Sequence, residues 1–98
     1  MNMEIRRNDQ ITNSFVRILF KRFDNKAKLK AFIENFPVLS GKEKELMIYI
    51  YCDCIPVKCA AFKMKKSKRW TDAMLSECIA KSSPYVFALI LKGLSSAL

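Results

Sequence analysis

Ser40-Gly41-Lys42-Glu43 sets the fold class of this chain more firmly than any other stretch, because it marks a helix start near the middle. It has the S-x-x-E form of a capping box. The Ser40 hydroxyl can accept from the backbone N–H of Glu43, and the Glu43 carboxylate can reach back to the N–H of Ser40. The apolar run that follows predicts a helix from Gly41 to about Cys52, with Leu46, Ile50 and Met47 turned inward. Leu46 to Tyr51 are all apolar or aromatic, which suits a strand as well. The cap and the length of the segment favour helix.

The rest of the chain follows the same period. A hairpin-rich β fold needs many turn residues, and two glycines and three prolines in 98 residues do not supply them. Ile11, Phe15, Ile18, Leu19 and Phe23 recur at helical spacing behind a cap at Asn8 or Asp9. Asp24-Asn25 breaks that helix, and a second follows with Leu29, Phe32, Ile33 and Phe36 inward, ended by Pro37. Beyond the capped helix, Asp53-Cys54-Ile55 reads as a turn. Pro56 then opens a short helix to about Lys65 that presents Val57, Ala60, Ala61 and Met64. A further helix carries Trp70, Met74, Cys78 and Ile79. Ser82-Ser83-Pro84 supplies a cap and first-turn proline for a terminal helix over 84–94, ended by Gly93 or the serines beyond it. The expectation is one all-α domain over residues 1–98, a small bundle of five to six helices, because a chain of this length supports only one core.

Eighteen Lys and Arg face nine Asp and Glu, a formal net charge of +9. An excess of that size repels itself and fits a chain whose partner is polyanionic. The four cysteines, Cys52, Cys54, Cys59 and Cys78, have no common zinc spacing and no histidine to complete a site. They are read as buried packing residues, with Cys52 and Cys59 seven apart on one helix face, and no metal or other cofactor is expected. Met1 to Gln10 is polar, unlike a secretory leader, which points to a reducing, cytoplasmic setting. The chain has no triad, paired catalytic carboxylates, phosphate-cradling glycine loop or histidine base, so no enzyme activity or small-molecule substrate is expected.

Function is sought where the charge meets the helix pattern. Residues 41–80 give a capped helix, a short helix with Ala60-Ala61, a tight turn and another amphipathic helix, the layout of a helix-turn-helix. Small residues let two such helices cross closely, and the second enters the major groove. Lys58, Lys63, Lys65, Lys66, Lys68 and Arg69 fall at the turn with no acid among them. Basic side chains and the N–H groups of a helix start are what a phosphate backbone binds. Thr71 and Asp72 favour helix starts and are read as caps, with base contact as the other role. Lys81 completes the candidate DNA-binding set, and Trp70 is read as a core anchor. Arg17, Lys21, Arg22, Lys26, Lys28 and Lys30 form a second basic region, which either extends the footprint or keeps the chain soluble.

The segment Cys59-Ala60-Ala61-Phe62-Lys63-Met64 resembles the C-x-x-(Y/F)-x-(M/V) element of the PapB-like fimbrial (adhesin-biosynthesis) transcription regulators. The upstream LKAFIENFPVLSGKEKEL is similar in layout, and the likeness spans roughly Leu29 to Ile79. More loosely, Ala61, Met64 and Ser67 resemble the A-x-x-L-x-x-S spacing of the last helix-turn-helix of sigma factors. The family's Asn/Gly turn and aromatic pair are replaced here by Lys65-Lys66-Ser67-Lys68-Arg69. The resemblance implies an oligomeric, double-stranded-DNA-binding regulator of a bacterial operon. The terminal helix, apolar almost all round and far short of the ~20 residues that span a bilayer, is assigned to the core or to a second copy of the chain. The competing class is a small basic interaction module, an inhibitor or adaptor, docking on an acidic protein. An RNA binder ranks below both, because no exposed aromatic sheet is evident.

Overall fold

The computed structural model describes the backbone of residues 2–97 and the side chains of residues 11–92. The chain is all-α: α1 is Asn2–Arg22, α2 Lys26–Glu34, α3 Gly41–Met47, α4 Val57–Lys63 and α5 Lys68–Ala97. No strand occurs among the described residues. α5 is the axis of the fold, packing against α1, α3 and α4, while α2 lies against α3 and its continuation.

The capping box at α3 forms as expected. Glu43 N–H donates to Ser40 Oγ at 3.3 Å and Ser40 N–H to Glu43 Oε1 at 2.8 Å. Leu46 and Met47 are buried beneath it. From Ile48 to Cys52 the helix widens to π geometry, with Asp53 N–H reaching back five residues to the Ile48 carbonyl at 2.9 Å. The widened turn moves Tyr51 into the core, against Phe20 at 5.5 Å between ring centroids, and leaves Ile50 half-buried. Asn25 caps α2 through its side chain, and Leu29, Ile33 and Phe36 are buried with Phe32 at their edge.

α1 differs from its expected register. Its backbone is helical from Asn2, so Asn8 and Asp9 lie inside the helix and do not start it. Val16 and Phe20 are the buried positions, whereas Ile11, Phe15, Ile18 and Phe23 are exposed. The helix carries apolar residues on two opposite stripes. The one that docks is the one flanked by Asn13, whose side-chain amide lies 2.6 Å from the Ser83 hydroxyl of α5.

The predicted break before Pro84 does not occur, and neither Gly93 nor the serines after it end the helix: α5 continues from Lys68 to Ala97 with the proline inside it. Ser82 and Ser83 do not cap a new helix. Their hydroxyls donate one turn back, to the carbonyls of Cys78 at 2.6 Å and Ile79 at 2.8 Å. Pro84 itself faces outward, so its ring is not forced into the core. The terminal helix is therefore the distal half of α5 and not a separate ten-residue unit. Over Lys68–Lys92, α5 is long and apolar enough to cross a membrane by length and composition, although Thr71, Leu75, Cys78, Ile79, Ser82, Ser83 and Val86 are buried in the globule.

The cysteine reading is also corrected. Only Cys78 is buried; Cys52 is half-buried and Cys54 and Cys59 are exposed, all as free thiols. The turn at 53–56, where Cys54 adopts φ 58°, ends the helix and removes the shared face that a seven-residue spacing implies. Pro56 sits one residue ahead of α4, as its extended N-cap.

Candidate nucleic-acid interface

α4 exists because Ala60 and Ala61 have no bulk to hold it off the core. Both are buried, and α4 packs on α5 through them. The helix then ends in a Schellman turn. Lys65 N–H donates to the Phe62 carbonyl at 3.1 Å and Lys66 N–H to the Ala61 carbonyl at 3.0 Å. That closure needs a left-handed residue at the first position past the cap, and Lys65 occupies it with φ 58°. Glycine is the usual occupant, because an L side chain in this conformation crowds the following carbonyl.

Ser67 then starts α5. Its hydroxyl accepts from Trp70 N–H at 3.0 Å, while its carbonyl accepts from both the N–H and the hydroxyl of Thr71, at 3.0 and 2.8 Å. Ser67 is the cap where Thr71 and Asp72 were expected. The first two N–H groups of α5 belong to Lys68 and Arg69 and have no carbonyl one turn back within the helix.

The turn gathers most of the predicted set. Lys63, Lys65, Lys66, Lys68 and Arg69 are exposed within seven consecutive residues, and Lys58 is exposed one turn earlier on α4. Two of these lysines lie over aromatic rings: Lys63 Nζ is 5.8 Å from the Tyr49 centroid and Lys66 Nζ 5.0 Å from that of Trp70. Trp70 is half-buried and so anchors only in part. Lys68 pairs with Asp72 at 2.8 Å, but both ends are well exposed, and such pairs hold a side chain only weakly.

Two predicted residues are elsewhere. Thr71 is fully buried with its hydroxyl engaged, so it presents nothing to a ligand. Lys81 is thirteen residues beyond Lys68, about 20 Å along the helix, and it bonds Glu43 Oε2 at 2.9 Å. Burial pushes the Glu43 carboxyl up, but hydrogen bonds from Ser40 N–H and from Lys81, with the charge of Lys81, outweigh it and leave the group below the ordinary range. The hydrogen bond to Glu43 raises Lys81 in return, against the opposing effect of its own desolvation. Lys81 therefore ties α5 to α3 and belongs to the fold. Cys78 donates to the Glu43 carbonyl nearby, and burial pushes its thiol up to about 12.

The structure brings two residues from outside the candidate set to this surface. Arg17 of α1 donates to Ser76 Oγ at 3.3 Å. Ser76 is seven residues beyond Arg69, on the same side of α5 and about 10 Å along it. One member of the second basic region thus reaches the outer strip of α5 formed by Arg69, Ala73, Ser76 and Ala80, all exposed. Phe62 is the other addition. It is 85% exposed, more than any other large apolar side chain described. Burial of Ala60 and Ala61 forces it outward, a consequence already present in the helical period.

The fold and this surface define a small all-α protein with a basic turn between two packed helices. No protein-family model, curated protein or solved structure matches the chain. The likeness to the PapB-like regulators rests on the residues quoted above.

Proposed function

We propose that the protein is a DNA-binding transcription regulator of a bacterial operon, acting in the cytoplasm. α4, the turn at Met64–Ser67 and the first half of α5 serve as its helix-turn-helix. The observation that carries the reading is Lys65. A position that favours glycine holds a lysine, in a segment from Lys63 to Arg69 whose other exposed residues, apart from the capping Ser67, are also cationic. A strained side chain kept where glycine is easier points to a use outside the fold.

In this reading Lys58, Lys63, Lys65, Lys66 and Lys68 hold phosphates, assisted by the N–H groups at the start of α5. Arg69 leads the strip that enters the major groove, and the small side chains of Ala73, Ser76 and Ala80 let the helix approach its floor. Arg17 meets a phosphate further along the groove. A second copy docks on the apolar surface where Phe15 of α1 meets Phe87 of α5 at 5.5 Å between centroids, with Ile11, Ile18 and Leu91 exposed around it. Two copies would place two such turns on two half-sites.

The test is a salt titration of binding to random duplex DNA. The logarithm of affinity should fall linearly with that of salt, and each lysine changed to Ala should lower the slope by about 0.9 if it meets a phosphate. Lys81→Ala should leave the slope unchanged. Absence of duplex binding at low salt refutes the proposal.

A further inference from the structure

Phe62 has no role in the fold. It lies outside the core, and no ring stacks on it and no cation sits over it among the described residues, whereas Tyr49 and Trp70 each carry a lysine on one face. Lys58 precedes it by one helical turn, Lys63 is adjacent, and Lys65 donates its N–H to the Phe62 carbonyl. It is an open aromatic face inside a field of positive charge. A bare phenyl ring set among cations is apolar surface on which a flat partner can stack.

An intact duplex covers it poorly. Base faces are hidden in the stack, and the only apolar feature that a groove offers is the thymine methyl edge. An unpaired base has a free π face of matching shape, and its flanking phosphates match the surrounding lysines. Cationic surface interleaved with aromatic platforms is the chemistry that binds unpaired strands.

We infer that this face takes up an unstacked base of single-stranded or locally melted DNA, with Phe62 as the stacking platform and Lys58, Lys63 and Lys65 holding the adjoining phosphates. The inference rests on the DNA-binding reading and extends it from the closed duplex to the opened one. It makes opened DNA a preferred ligand, so that binding favours strand separation at the site.

The experiment compares three probes: a random duplex, the same duplex with an internal unpaired loop of thymines, and its isolated strand. The native protein should bind the looped duplex roughly tenfold tighter than the closed one, the scale of one stacked base. Phe62→Ala should abolish that preference by weakening only the two probes with unpaired bases. It removes no charge, so the salt slope on closed duplex should stay the same. Phe62→Tyr should retain the preference. At 85% exposure the side chain contributes little packing, so these variants fold. Equal affinity for all three probes, or a preference that survives Phe62→Ala, overturns the inference, leaves duplex binding standing and directs Phe62 to an acidic protein partner. Failure to bind any probe overturns the DNA reading itself.

Discussion

Lys65 permits a test that separates backbone from charge at a single position. At φ 58° an L residue is disfavoured by about 1–2 kcal/mol relative to the right-handed region. Glycine escapes that strain but has more freedom to lose on folding, an opposing effect of about 0.4–1 kcal/mol. Taken at the middle of each range, the difference leaves Lys65→Gly more stable than the native chain by roughly 0.8 kcal/mol. In a domain of this size that raises the melting temperature by about 3–6 °C. Lys65→Ala keeps the strain and removes the same charge, so its melting temperature should lie within about 2 °C of the native value.

Thermal unfolding followed by circular dichroism gives the stability order, and the salt titration gives the DNA order. Both variants lose the ammonium group, so both should lower the counterion slope by about 0.9. The pair is informative because the two readouts diverge: Gly and Ala differ in stability and agree in DNA binding. If Lys65→Gly melts at or below Lys65→Ala, the left-handed closure of α4 is wrong. If the slope is unchanged in both, Lys65 meets no phosphate and the observation carrying the proposed function is lost.

Glu43→Gln keeps an acceptor for the capping box and removes the ion pair with Lys81. Glu43 is held below its unfolded value, so its contribution is complete above the ordinary carboxylate range and disappears as pH falls through the folded value. Lys81 is raised, so its share is complete below its unfolded value and is lost as pH climbs through the higher folded value. Urea titrations should show Glu43→Gln less stable by about 1 kcal/mol at neutral pH, with the gap closing in acid and again in strong alkali; a gap independent of pH refutes the pairing. Leu91→Glu puts a charge at a residue 62% exposed on the apolar surface of α1 and distal α5. Sedimentation should show a dimer for the native chain and a monomer for the variant, with native-like helicity; a native monomer at the same concentration removes that interface.

The parts of the fold that were legible in the sequence are those decided by local chemistry. The Ser40–Glu43 box, the break at Asp24-Asn25 and the inward face of α2 depend on residues within one or two turns of each other, and the structure holds them as read, with Asn25 also capping α2. α1 and α5 were misread because their outcome depends on each other. Both stripes of α1 satisfy the helical period, and long-range packing, Phe20 on Tyr51 and Asn13 beside Ser83, selects the Val16–Phe20 side. These contacts, the second spanning seventy residues, leave no mark on the local period. Ser82-Ser83-Pro84 likewise has two uses, since a serine hydroxyl can cap the next helix or bond the previous turn. Packing of α1 along α5 selects the second.

The candidate site divides along the same line. The lysines of the turn were legible because charge without neighbouring acid remains at the surface wherever helices meet, and Lys63 to Arg69 are exposed accordingly. Thr71 and Lys81 were misassigned because each has a partner that composition does not reveal: a carbonyl four residues back for one, a carboxylate 38 residues away for the other. A helix start offers Ser, Thr and Asp as rival caps, and the turn decides among them. Once Lys65 closes α4 left-handed, Ser67 is the residue placed before the first free N–H groups, and Thr71 falls on the buried side one turn later. Position 65 therefore does more than carry charge. The left-handed backbone at this position, which glycine would also supply, fixes where α5 begins and so determines which side of α5 carries Arg69 outward.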